Sequence, residues 1–185
     1  MKPGFRYAIC VLAGLLLGGG AAVRAVRSSS FASGERVGPW RSGGDFGSAE
    51  AAAFTRAAIA VHGLLALPAR EARYYSTAVD DEGRPLDGRC AYAIAGGNPG
   101  GAWFSLTLYG EDGFLVRNGA NIFSVGSAAM TPAERERWRL IAAPEPREGR
   151  WLPTGGADRF NLTLRVYLPR EGLSALPAIT RLSCP

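Results

Sequence analysis

Few residues in this chain have the types and spacing that chemistry needs. His62 is the sole histidine, so a zinc cluster built on histidines is excluded, and a Ser-His-Asp site could only run through His62. It stands beside the apolar stripe of a helical segment and is read as a helix residue. No Gly-x-Ser-x-Gly elbow occurs. Asp80, Asp81 and Glu82 form the acidic cluster. Paired carboxylates of this kind can serve as acid and base on a glycoside, or bind calcium. They directly precede Gly83, where aspartate is also favoured for its turn-forming bonds, and turn chemistry is the preferred reading. The glycine-rich "GGNPGG" at 96–101 is not followed by the Gly-Lys-Ser/Thr of a phosphate loop. Nothing in the sequence calls for a metal or another cofactor.

The more promising residues form two polar rows. Trp103, Ser105, Thr107 and Tyr109 alternate with apolar Phe104, Leu106 and Leu108, and Asn161, Thr163, Arg165 and Tyr167 alternate with Phe160, Leu162, Leu164, Val166 and Leu168. Arg117 and Asn118 close the hairpin signalled by "EDG". If the two strands are neighbours, aromatics, hydroxyls and guanidinium groups share one surface. Such a surface can stack a sugar or clamp a carboxylate or phosphate. The competing reading makes the aromatics a second core layer beneath helices, with Arg165 paired to an acid.

The elements that must position these residues follow from periodicity. "ARYYSTAV", "CAYAIAG", "AWFSLTLYG" and "RFNLTLRVYLP" read as strands separated by turn clusters, "FLVRN" and "NIFSV" as short strands, and "AITRLSC" as a last one. Two helices are predicted. One spans 48–67, with Ser48 as N-cap and Phe54, Ala58, Val61 and Leu65 at helical spacing. The other spans 131–143, with Thr131 and Glu134 as a capping box around Pro132. The apolar rows ending at Leu108 and Leu168 are assigned to the core. The sum is a mainly β chain, an antiparallel β sandwich with two helices.

Tyr7 to Val23 is 17 residues without a charge, flanked by Lys2, Arg6, Arg24 and Arg27. It has the character of a transmembrane anchor, with a cleaved signal peptide as the alternative. Those four basic residues also explain the net charge of +5, because the rest of the chain carries only +1. A nucleic-acid surface is therefore not indicated. The expected organisation is a membrane segment at 1–27, a linker at 28–47 and one sandwich domain at 48–185. With Cys10 inside the apolar run, Cys90 and Cys184 are left either as one disulfide or as two separate thiols, and export favours the bridge.

The succession "RYYSTAVDDEGRPLDGRCAYAIAG", "WFSLTLYGEDGFLVRN", "WLP", "FNLTLRVYLP" and "LPAITRLSC" resembles the family called domain of unknown function 1214, from about Gly38 to Cys184. Phe104 departs from it, standing where the family often has Trp-Ser. The chain looks like the short form with an N-terminal membrane segment, without the companion domain of longer relatives. The resemblance implies a jelly-roll-like sandwich in the bacterial envelope and brings no assigned reaction. Its motif positions Thr107, Tyr109, Asn118, Arg165 and Tyr167 coincide with residues singled out above. The resulting expectation is a single-pass inner-membrane protein with its domain in the periplasm, or a secreted one after signal cleavage. It would be a non-catalytic binding or accessory module using Trp103, Thr107, Tyr109, Arg117, Asn118, Arg165 and Tyr167. Its partners would be the membrane, through residues 7–23, and an envelope ligand or membrane protein. The alternative is an envelope hydrolase or lyase acting on glycans through Asp80 or Asp81.

Overall fold

The computed structural model describes residues 3–28, 35–42, 46–61, 66–170 and 176–185. Its elements are α1 (Pro3–Ser28), β1 (Arg36–Val37), β2 (Trp40–Ser42), α2 (Ala53–Val61), β3 (Ala72–Thr77), β4 (Ala91–Gly96), β5 (Trp103–Gly110), β6 (Ser124–Gly126), α3 (Pro132–Glu136), β7 (Trp138–Ala143), β8 (Trp151–Pro153), β9 (Phe160–Tyr167) and β10 (Ala178–Ser183). The strands form two sheets, one ordered β1-β2-β3-β9-β5-β6 and the other β10-β4-β7-β8. Pairing is antiparallel except between β7 and β8, which run parallel. Within α1, Gly4–Val26 is apolar and long enough to cross a membrane.

Alternation places the core. Phe104, Leu106 and Leu108 of β5 and Phe160, Leu162, Leu164 and Val166 of β9 are buried on one face of the six-stranded sheet. They meet Tyr92 and Ile94 of β4, Leu140 and Ala142 of β7, Leu152 and Ile179 from the smaller sheet. Phe104 lies 5.5 Å from Trp138, and Tyr92 stands edge-on to Phe160 at 5.7 Å. Cys90 and Cys184 are joined in a disulfide that ties the end of β10 to the start of β4.

Five expectations need correction. The helix expected over 131–143 ends at Glu136. Thr131 and Glu134 do form the capping box, but Trp138, Leu140 and Ala142 then bury every second side chain as β7. Pairing with β4 and burial in the sandwich outweigh helical propensity there. The helix expected over 48–67 is described only from Ala53 to Val61. Ser48 instead accepts from the Glu50 N–H in a turn ahead of it. Phe54 is 46% exposed, and Ile59 makes the contact with the sheet. His62 and Leu65 lie outside the described residues, as do the side chains of Ala58 and Val61.

Part of the expected linker is sheet. Arg36–Val37 and Trp40–Ser42 form a hairpin turning at Gly38 with φ +59°, and buried Trp40 donates its indole N–H to the Pro177 carbonyl at 2.8 Å. "FLVRN" makes only one bridge to β5, between Leu115 and Tyr109, so β6 is the true neighbour of β5. Leu168 leaves the core row with φ +46° and is 63% exposed.

Candidate functional site

The two polar rows are neighbours. In the β5–β9 ladder Trp103 faces Tyr167, Ser105 faces Arg165, Thr107 faces Thr163 and Tyr109 faces Asn161. Directly opposed residues of an antiparallel pair project to the same side, so all eight share the outer face of the six-stranded sheet. The register carries the row further. Tyr74 lies opposite Arg165, Ser76 opposite Thr163, Arg41 opposite Ser76 and Ser124 opposite Thr107.

Arg165 is the centre of this face. Its guanidinium donates to Thr107 Oγ1 at 3.1 Å and to the Tyr109 hydroxyl at 2.6 Å, and it lies 5.5 Å above the Tyr109 ring. Among the described residues no carboxylate forms an ion pair with it. Hydroxyls and a ring face orient the cation but do not neutralise its charge. Beneath it Ser105, Thr107 and Thr163 are buried, so the long side chains form the accessible layer. Trp103 packs on Tyr167 with ring centroids 4.9 Å apart. Its indole also lies by Gly126, where an added Cβ would stand only 3.3 Å from the ring.

The β3 side of the face is covered. Tyr74 and Tyr167 pack with Phe46, Ile59, Ala66 and Leu67, and the Tyr74 hydroxyl accepts from the Leu67 N–H at 3.0 Å. A second packed layer therefore exists, made of Tyr74 and one flank of Tyr167. The open part lies over β9, β5 and β6. Alternation in "RYYST" was the available signal for Tyr74 and Ser76. Gly126 carried none.

Arg117 and Asn118 are not brought to this face. Asn118 donates to the Val116 and Ile122 carbonyls and accepts from the Ile122 N–H, closing its own loop. Arg117 and Asn118 line a separate open depression of about 700 Å³ with Pro144, Trp151, Pro153 and Gly155.

The acidic cluster is committed to structure. Buried Asp80 accepts from the N–H groups of Glu82 and Arg84 at 3.1 and 2.9 Å and from Arg84 Nε at 2.9 Å. Arg181 Nε stands 3.4 Å from the same carboxylate. Burial alone would raise the Asp80 pKa, but the hydrogen bonds from Arg84 and the charges of Arg84 and Arg181 outweigh it and hold it below the ordinary value. Asp81 accepts from the Ile179 N–H at 2.7 Å, and Glu82 pairs with Arg84 at 2.7 Å. The cluster thus clasps β10 against the turn. A general acid on a glycoside needs a raised pKa, and Asp80 has the reverse.

The family described as protein of unknown function (DUF1214) matches residues 71–171, more than half of the chain. The chain belongs to this family. The part matched by DUF1214 contains β3 through β9, and with them Trp103, Thr107, Tyr109, Arg165 and Tyr167. No curated protein matches the chain. Among solved structures, the VPA0106 protein of Vibrio parahaemolyticus is similar to this DUF1214 chain, with a TM-score of 0.60 and 22% identity over 72% of the chain. An uncharacterized protein from Burkholderia cenocepacia gives a TM-score of 0.42 and 20% identity over 60%. The chain spans 36% and 29% of the lengths of those two proteins. The likeness to the Vibrio protein is one of fold.

Proposed function

We propose that this DUF1214 protein is anchored by α1 in the inner membrane of a bacterial envelope and carries its sandwich in the periplasm. There it binds a ligand on the outer face of the six-stranded sheet without catalysing a reaction. The observation that carries the binding role is Arg165, a guanidinium held by Tyr109 and Thr107 and left without a carboxylate among the described residues. A group so oriented suits an anionic substituent. The Cys90–Cys184 disulfide supports an oxidising compartment. Glycan hydrolysis or lysis is the weaker reading, because Asp80 and Asp81 are occupied as turn and strand acceptors.

The test is thermal unfolding of the full chain in detergent micelles, with acidic and neutral envelope glycans and small anions added. An acidic glycan is expected to raise the midpoint of the wild type and not that of Arg165→Gln. Equal shifts in both proteins would remove Arg165 from any binding role.

A further inference from the structure

Leu168 is the starting point. At φ +46° it occupies the left-handed region that glycine takes freely and a branched side chain avoids. Its N–H donates to the Glu71 carbonyl at 2.8 Å, so the chain must turn here as it leaves β9. A leucine at such a turn, 63% exposed, has a side chain that the interior does not use.

Other apolar groups collect at the same end. Tyr167, the preceding residue, stacks with Trp103, which is 37% exposed. The cluster of Phe46, Ala72 and Tyr74 that Tyr167 packs against also receives Ile59 of α2, while Phe54 on the same helix stays exposed. In turn α2 lies against α1. Every described side chain of α1 is exposed except half-buried Val26, which closes the apolar run. Val26, at the C-terminal end of that run, is the described α1 side chain that the rest of the chain partly covers. Arg56 of α2 and Arg170, two residues beyond Leu168, are exposed, as is Arg70, which pairs with Glu71 at 3.3 Å.

We infer that this end of the sandwich rests on the bilayer that α1 crosses, with Trp103 and Leu168 seated at headgroup depth. The inference depends on the anchored reading of α1 given above. Indole rings favour the membrane–water boundary, and arginines complement anionic headgroups. Continuity with the anchor selects the bilayer as the occupant, because a surface tethered beside a membrane meets it at high local concentration.

Tryptophan emission tests this, since α1 contains no tryptophan, Trp40 and Trp138 are buried, and Trp151 lies on the smaller sheet. The full chain is reconstituted into vesicles of phosphatidylcholine and phosphatidylglycerol with brominated acyl chains, and flotation after alkaline wash is scored in parallel. The chain is expected to float, brominated lipid is expected to quench its emission, and Trp103→Phe should abolish most of that quenching. Leu168→Gly should cut the quenching by half or more without lowering the thermal midpoint. A chain that floats but shows the same quenching with and without Trp103 keeps its anchor and overturns the docking. Trp103 emission that depends on protein concentration instead of on lipid gives the face to a second copy and also overturns it. A chain that fails to float removes the anchor and the docking together.

Discussion

Removing the disulfide is the most quantitative test of how the smaller sheet is held. Cys90 and Cys184 are 94 residues apart in sequence. Opening a loop of that size returns chain entropy to the unfolded ensemble, worth about 4.7 kcal/mol at 25 °C. The folded state should survive the loss. β10 keeps its ladder to β4, the Asp81 carboxylate still accepts from Ile179, and Arg181 still reaches Asp80 and the Pro85 carbonyl. The full chain and its Cys90→Ser/Cys184→Ser variant would be unfolded in urea in detergent, followed by tryptophan fluorescence. The variant is expected to be folded without urea and less stable by about 2–5 kcal/mol. Its dependence on urea should also be steeper, because the uncrosslinked unfolded chain exposes more surface. An unchanged midpoint would refute the loop-entropy reasoning. A variant already unfolded without urea would refute the claim that the polar clasp suffices to seat β10.

Three further outcomes follow from the packing and charge. Acid should destabilise the fold. Hydrogen bonds from Arg89 hold Asp87 at about 2, those from Thr131 and Arg150 hold Glu134 at about 2, and Asp80 is also lowered. Their stabilisation is complete above the unfolded carboxylate values near pH 4 and lost as pH falls toward about 2, which thermal midpoints measured from pH 7 downward would show. Leu164→Ala removes a fully buried side chain between Tyr75 and Leu106 and should cost about 2–5 kcal/mol in urea unfolding. Thr131→Ala removes one half of the α3 capping box and should cost about 1 kcal/mol by the same measurement, with binding unaffected.

The rows on β5 and β9 were legible because alternation over eight residues fixes which side chains share a face. That they are neighbours was not legible, since register between strands some 60 residues apart depends on the whole sheet. Trp138–Ala143 is a strand where the sequence pattern also suits a helix. A capping box announces only where a helix begins, and "WRLIAA" fits a helix face and a buried strand alike. Arg117 and Asn118 would reach the face only if "EDG" joined two full strands. The chain instead leaves β5 after one bridge and returns as β6. The acidic cluster was legible as turn chemistry from Gly83 alone, whereas its hold on β10 needed the fold. Leu168 shows the limit of periodicity, which assigns faces only while the strand lasts.

The pairings of β3 with β9 and of β4 with β10 have a kinetic consequence. Each joins segments some 90 residues apart, for instance Ala72 with Tyr167 and Ala91 with Ser183. Neither sheet can assemble from adjacent hairpins alone, so the nucleus must wait for long loops to close. Such chains refold slowly, on the order of milliseconds to seconds for small β domains. During that interval the edges of β3 and β5 stand open, because β9 fills the gap between them only late in the sequence. Unpaired edges invite other chains, and partly folded copies are exposed to that hazard.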